Sequence, residues 1–142
     1  MFDGTAFALN QTAVYALRAM IALAQIEPGA RLRADEIAAK TQIPRHYVNK
    51  VMRRLVVAKL VDGLRGHGGG FGLRRPPSAV RFADILRAIE PGPGVQPCAF
   101  GLKRCDALAP CPLHGAWTVI NEAITRWAES TTLQSCLAPP PR

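Results

Sequence analysis

Ala34-Asp35-Glu36-Ile37-Ala38-Ala39-Lys40-Thr41-Gln42-Ile43-Pro44-Arg45-His46-Tyr47-Val48-Asn49-Lys50-Val51-Met52-Arg53-Arg54-Leu55 is the stretch on which the fold turns. Ile37 and Ala38 face inward from a short helix over Ala34 to Lys40, and Thr41-Gln42 breaks it. Ile43-Pro44 then opens another helix, since proline is favoured in a first turn where its missing N–H costs nothing. At about 100° per residue, Val48, Val51, Met52 and Leu55 form the inner side of that helix. Two short helices, a tight turn and small Ala38 at the crossing make a helix-turn-helix pattern.

The opposite side of the second helix carries His46, Asn49, Lys50 and Arg53, with Arg33 and Arg45 beside the motif. Arg or Lys pairs with guanine edges, Asn with adenine, and each of them also grips phosphate, so this face suits double-stranded DNA. An ordinary helical hairpin with a solvated polar face is the competing reading. Charge segregation argues against it: of the net +8, residues 31–87 hold thirteen Lys or Arg against four Asp or Glu, while the remainder holds five against six. A basic excess confined to the segment with the motif is the electrostatic footprint of a phosphate-facing surface.

Leu60 to Arg65 and Phe71 to Arg74 flank Gly66-His67-Gly68-Gly69-Gly70, which predicts two short strands around a glycine-rich tip, the wing of a winged helix. Arg65, His67 and Arg74 bring hydrogen-bond donors to that edge. A nucleotide-cradling loop would require a lysine followed by serine or threonine and an immediate helix, and neither follows. Upstream, Val14, Leu17, Ile21 and Ala24, with Met20 beside them, predict a first helix capped by Asn10 and stopped by Pro28-Gly29. Downstream of Pro76-Pro77, a further short helix is expected from Val80, Ala83, Ile85, Leu86 and Ile89.

Pro91-Gly92-Pro93-Gly94 breaks regular structure, and Cys98, Cys105, Cys111 and His114 follow. Three thiolates and an imidazole supply a full ligand set for zinc or for an iron-sulfur cluster, and spacing alone does not choose between them. Cys111-Pro112 is expected to start a helix with His114 in its first turn. Along it Leu113, Trp117, Ile120, Ile124 and Trp127 step by four, three, four and three, a seam of the coiled-coil kind that predicts a homodimer. Cys136 lies apart from the cluster and reads as a buried or incidental thiol.

The chain of 142 residues, 49% of them hydrophobic, supports one modest core. No run approaches the about 18 uninterrupted apolar residues of a membrane span, and Met1-Phe2-Asp3-Gly4 lacks a secretory start, so a cytoplasmic location is expected. In that compartment grouped cysteines hold metal more often than they form disulfides. Two of the three histidines belong to the DNA-facing surface and the third is a candidate ligand, leaving no acid, base and nucleophile set for an enzyme.

Together the first helix's Tyr15-Ala16-Leu17-Arg18-Ala19-Met20, the helix-turn-helix, the wing Gly66 to Leu73, and Cys111-Pro112-Leu113-His114-Gly115-Ala116-Trp117 make the chain resemble the Rrf-type (IscR/NsrR) family of bacterial winged helix-turn-helix regulators, from about Thr12 to Leu133. The resemblance implies a dimeric transcription regulator, a repressor, acting on a palindromic operator. It also implies a cysteine loop that binds an iron-sulfur cluster responsive to iron-sulfur status, nitric oxide or redox stress. Cys98, Cys105, Cys111 and His114 match the ligand set of IscR-like members, which carry a 2Fe-2S cluster; the gap between Cys98 and Cys105 is one residue longer than in that pattern. Val14 stands where some nitric-oxide sensors offer an aspartate, and valine has no ligand atom, so 2Fe-2S is favoured over 4Fe-4S.

The expected architecture is mainly α with a small β-wing. A winged helix-turn-helix domain (1–90) leads into a cysteine-rich loop (91–115), a long dimerisation helix (112–134) and a tail (135–142). The expected partners are double-stranded DNA and a second copy of the chain, with no membrane and no small-molecule substrate. Two rivals remain: a winged-helix regulator with a structural zinc, and a basic electron-transfer or cluster-delivery protein.

Overall fold

Asn10 starts the first helix, α1 (Gln11–Ala24), by accepting the Ala13 N–H on its side-chain oxygen at 2.8 Å, which satisfies one of the helix's free donors. The computed structural model describes residues 10–89 and 112–137. α1 is the central element, packed against both helices of the helix-turn-helix, the wing and the helix that follows it. Its buried residues are Ala13, Ala16, Leu17, Ala19, Met20, Ala22, Leu23 and Ala24. Of the apolar positions whose spacing predicts this helix, Leu17, Met20 and Ala24 are buried, Ile21 is half-buried against the core and Val14 is half-buried. With neighbours on several sides, alanines let backbones approach closely and the buried arc widens beyond a single stripe.

α2 (Ala34–Thr41) begins where the Arg33 N–H donates to the Glu36 carboxylate at 3.1 Å. Gln42 takes a left-handed conformation, φ 58°, and forms the turn of the helix-turn-helix. α3 (Arg45–Val57) follows. Pro44 stands just outside it rather than within its first turn, and the Pro44 carbonyl accepts from the N–H groups of Tyr47 and Val48 at 2.9 and 3.2 Å. Val48, Val51, Met52 and Leu55 are buried, as their spacing predicts.

Lys59, φ 62°, turns the chain into β1 (Val61–Leu64), which pairs antiparallel with β2 (Gly70–Leu73) in a register running from Val61 opposite Leu73 to Leu64 opposite Gly70. Leu32 adds a third position to this ribbon: its N–H donates to the Phe71 carbonyl at 3.0 Å and its carbonyl accepts from Phe71 N–H at 2.7 Å. Gly70 permits that approach. It sits at φ 128°, and a Cβ there would lie 2.7 Å from the Leu32 carbonyl oxygen.

A 3-10 turn (Pro77–Ala79) leads to α4 (Phe82–Ile89), which starts after the first residue of the expected apolar set; Val80 is buried ahead of the helix. α5 (His114–Ser130) packs on α4 and buries Ala128. The chain then folds back: Leu133 N–H donates to the Val80 carbonyl at 3.0 Å and Phe82 N–H to the Thr131 carbonyl at 2.8 Å. Leu133 is fully buried, and a 3-10 turn (Gln134–Cys136) lays Cys136 and Leu137 against the core. Among the described residues no helix is long and apolar enough to cross a membrane.

Candidate nucleic-acid interface

Burying Val48, Val51, Met52 and Leu55 forces the rest of α3 outward, so His46, Asn49, Lys50 and Arg53 are exposed together on one face. Tyr47 anchors the first turn of α3. Its ring meets Tyr15 of α1 edge-on with centroids 5.4 Å apart, and the His46 ring lies tilted against it with centroids 4.6 Å apart.

The wing meets the helix-turn-helix across a concave recess of about 310 Å³ lined by Arg33, Ala34, Asp35, Arg45, Leu64, Arg65, Gly66, Gly69 and Gly70. Three expected DNA contacts, Arg33, Arg45 and Arg65, thus converge from three separate segments. Asp35 lies 3.6 Å from Arg45, with both side chains more than half exposed, a pairing of little energy in water. The tip is closed by a Gly69 N–H to Gly66 carbonyl bond of 3.0 Å, and a side chain at Gly69 would run into the Leu64 carbonyl. His67 is exposed at this tip. Arg74 is exposed too, but lies beyond the base of β2, where its side chain borders a different cavity. The recess therefore gathers part of the expected set and leaves Arg74 apart.

Two arginines outside the expected set fix the geometry. Arg31 pairs with Asp62 at 2.6 Å and donates to the Gly70 carbonyl at 3.2 Å, tying the segment before α2 to both strands. Arg54 donates to the Ile89 carbonyl at 2.8 Å, joining α3 to the end of α4. Next to Arg53 in a basic run, Arg54 gives no sign in the sequence that it turns to a backbone carbonyl. Asp84 sits in the first turn of α4. Burial alone would raise its carboxyl, but hydrogen bonds from the Arg81 N–H and guanidinium, with the charges of Arg81 and Arg75, outweigh that and hold it below its ordinary value.

Of the candidate metal ligands, Cys98, Cys105 and Cys111 lie outside the described residues. His114 is the first residue of α5 and is half-buried; its carbonyl accepts from Thr118 Oγ1 at 2.8 Å. Among the described residues no group of three or more His, Cys, Asp or Glu gathers as a metal site. Cys136 is a half-buried free thiol 3.7 Å from the Thr132 carbonyl. Of the predicted dimer seam, Leu113, Ile120 and Trp127 are exposed and Ile124 is half-buried. The Trp117 side chain lies outside the described residues. Trp127 also packs edge-on against Phe82, centroids 5.2 Å apart.

Comparison with known proteins places this arrangement. The Rrf2 family model, described as an iron-dependent transcriptional regulator, matches residues 9–139. A protein of Mycobacterium tuberculosis strain H37Rv described as an HTH-type transcriptional regulator is 32% identical over 126 residues, 88% of this chain and 78% of that relative. Among solved structures, IscR of T. potens aligns with a TM-score of 0.72 at 25% identity, covering 91% of this chain and 85% of that one. CymR, the global cysteine regulator of B. subtilis, aligns with a TM-score of 0.68 at 28% identity, covering 89% and 92%. With the family model spanning nearly the whole sequence and the winged-helix fold shared with these regulators, the chain belongs to the Rrf2 family of transcriptional regulators and is not an enzyme.

Proposed function

We propose that the protein is a repressor that binds a palindromic operator as a homodimer in the cytoplasm, with an iron-sulfur cluster on Cys98, Cys105, Cys111 and His114 setting its affinity. The observation that carries the reading is the convergence of Arg33, Arg45 and Arg65 around one recess beside the exposed face of α3. Guanidinium groups from separate segments grip phosphates and fix register on the duplex, while His46, Asn49, Lys50 and Arg53 are free to meet base edges in the major groove. Arg65 and His67 bring the wing tip to the neighbouring backbone or minor groove.

Dimerisation is supported by α5. Leu113 at the cap of the helix, Ile120 and Trp127 follow one another at heptad spacing and are 47%, 37% and 40% exposed, an apolar seam along a helix whose inner side already packs on α4. Two-fold pairing along such a seam presents two copies of α3 to two half-sites.

Three thiolates and an imidazole fit the donor chemistry of a 2Fe-2S cluster, ahead of 4Fe-4S, and also that of tetrahedral zinc. When bound, a cluster supplies a centre that responds to iron-sulfur status, nitric oxide or redox stress. The residues that carry the signal onward are the chain's own: His114 heads the dimer helix, and Arg54 ties α3 to the carbonyl of Ile89 ahead of the cysteine segment. Such coupling requires that the two loading states differ in affinity for the two dimer geometries.

The test is anaerobic purification with an absorption spectrum and iron, sulfide and zinc analysis, followed by operator binding of loaded, stripped and Cys105→Ala protein. Iron with sulfide and a loading-dependent affinity support the proposal. Colourless protein with stoichiometric zinc transfers the ligands to a structural role. Equal affinity and equal sequence preference in all three forms remove the sensor and leave the DNA reader. Absence of salt-sensitive binding to DNA would favour an electron-transfer or cluster-delivery protein.

A further inference from the structure

Behind the wing lies a second cavity, of about 580 Å³, bounded by the end of α1, the 26–31 connection, the base of β2 and the C-terminal 3-10 turn. That volume is in the range of small-molecule sites, roughly 300–1,000 Å³. Its apolar side is built by Leu23, Ala24, Ile26, Leu73 and Leu137, residues far apart in the chain that belong to the core or pack against it.

The polar side is cationic. Arg31, Arg74 and Arg75 line it, against Glu27 and Asp62. Asp62 is already engaged by Arg31 at 2.6 Å. Arg74 and Arg75 are exposed, and among the described residues neither makes a salt bridge. Two guanidiniums outside any salt bridge, of which that of Arg75 also acts on Asp84 through its charge, therefore lie with Glu27 beside an apolar floor.

We propose that this cavity binds a small amphipathic carboxylic acid, its hydrocarbon body against Leu23, Ile26, Leu73 and Leu137 and its carboxylate on Arg74 and Arg75. Apolar contact supplies most of the binding and the charge-assisted hydrogen bonds fix orientation. Phosphate alone would leave the apolar floor unused, and a neutral hydrocarbon would leave the guanidiniums without a partner. The site is separate from the recess at the wing tip, sharing no lining residue with it. It is joined to the wing through the chain: Arg31 donates to the Gly70 carbonyl, and Leu32, one residue on, pairs with Phe71.

Methyl NMR of the full-length protein, titrated with octanoate and with octanol, tests the proposal independently of operator binding. Octanoate is expected to produce saturable shifts with one-to-one stoichiometry at the methyl groups of Leu23, Ile26, Leu73 and Leu137, with octanol about tenfold weaker. Arg75→Gln should weaken octanoate about tenfold, and Gln134→Trp, at an exposed position on the rim, should block it by filling the space. Non-saturating shifts, equal binding of the alcohol, or octanoate binding unchanged in Arg75→Gln would each overturn it. A DNA-binding assay on Gln134→Trp, expected to match the parent protein, separates failure of this site from failure of the operator reading.

Discussion

α3 and α5 are both amphipathic, yet they stand in opposite relation to the core. The inner face of α3 is sealed: Val48, Val51, Met52 and Leu55 are all buried, and its outer face shows solvent His46, Asn49, Lys50 and Arg53, with Val57 exposed only at its last position. α5 buries Ala128 and shows solvent Val119, Ile120 and Trp127, with Leu113 exposed just ahead of it. A helix whose apolar face is satisfied within its own chain offers polar chemistry to a polar partner; a helix that keeps large apolar groups outside offers area to another protein surface. The contrast supports the proposal of DNA as the partner of one helix and a second copy of the chain as the partner of the other.

The largest way to break the contrast is to truncate α3 on its inner side. Leu55→Ala should cost about 2–5 kcal/mol of stability by leaving a cavity in a fully enclosed site, read by chemical denaturation. Loss of less than about 1 kcal/mol would mean that the core is looser than its burial implies. The matching change in α5, Ile120→Glu, should leave the helical content of the domain intact and convert dimer to monomer in sedimentation equilibrium. A dimer that survives it would move the pairing surface off this helix. A smaller effect is expected from Arg54→Ala: about 1 kcal/mol is lost with the bond to the Ile89 carbonyl, and the difference in operator affinity between loaded and stripped protein narrows. Unchanged coupling would exclude this strut as a route between the two regions.

The smallest effect concerns Asp84. Because its carboxyl is held below the ordinary 3.8, the stabilisation is fully present above that value and is lost as pH falls through the lower, folded-state value. Asp84→Asn should therefore be less stable than the parent at neutral pH, and the gap should shrink only below about pH 4. A gap that persists unchanged into strong acid would show that the contact does not depend on the charge.

α3 was legible because local periodicity and burial agree: four apolar positions at helical spacing are the four that are enclosed. The wing was legible through its glycines, and Asn10 through its cap. What was hidden depends on contacts distant in sequence. Leu32 joins the ribbon through a partner, Phe71, that no local pattern near Leu32 announces. The return of Leu133 to Val80 and the cavity behind the wing are likewise assembled from distant segments. The breadth of the buried arc of α1 follows from having several neighbours, a property of the assembled fold rather than of its own spacing. Arg53 and Arg54 are adjacent identical residues with different surroundings, and only the packed helices separate them.

The central claim, that the outer face of α3 and the recess beneath the wing form a phosphate-gripping DNA surface, is tested most directly by measuring operator affinity across salt concentration for the parent protein and for Arg45→Gln/Arg65→Gln. In the parent, log affinity is expected to fall steeply and linearly with log salt, and the slope to become shallower by about 0.9 for each phosphate contact removed. Affinity independent of salt, or a slope unchanged by the double substitution, would contradict it.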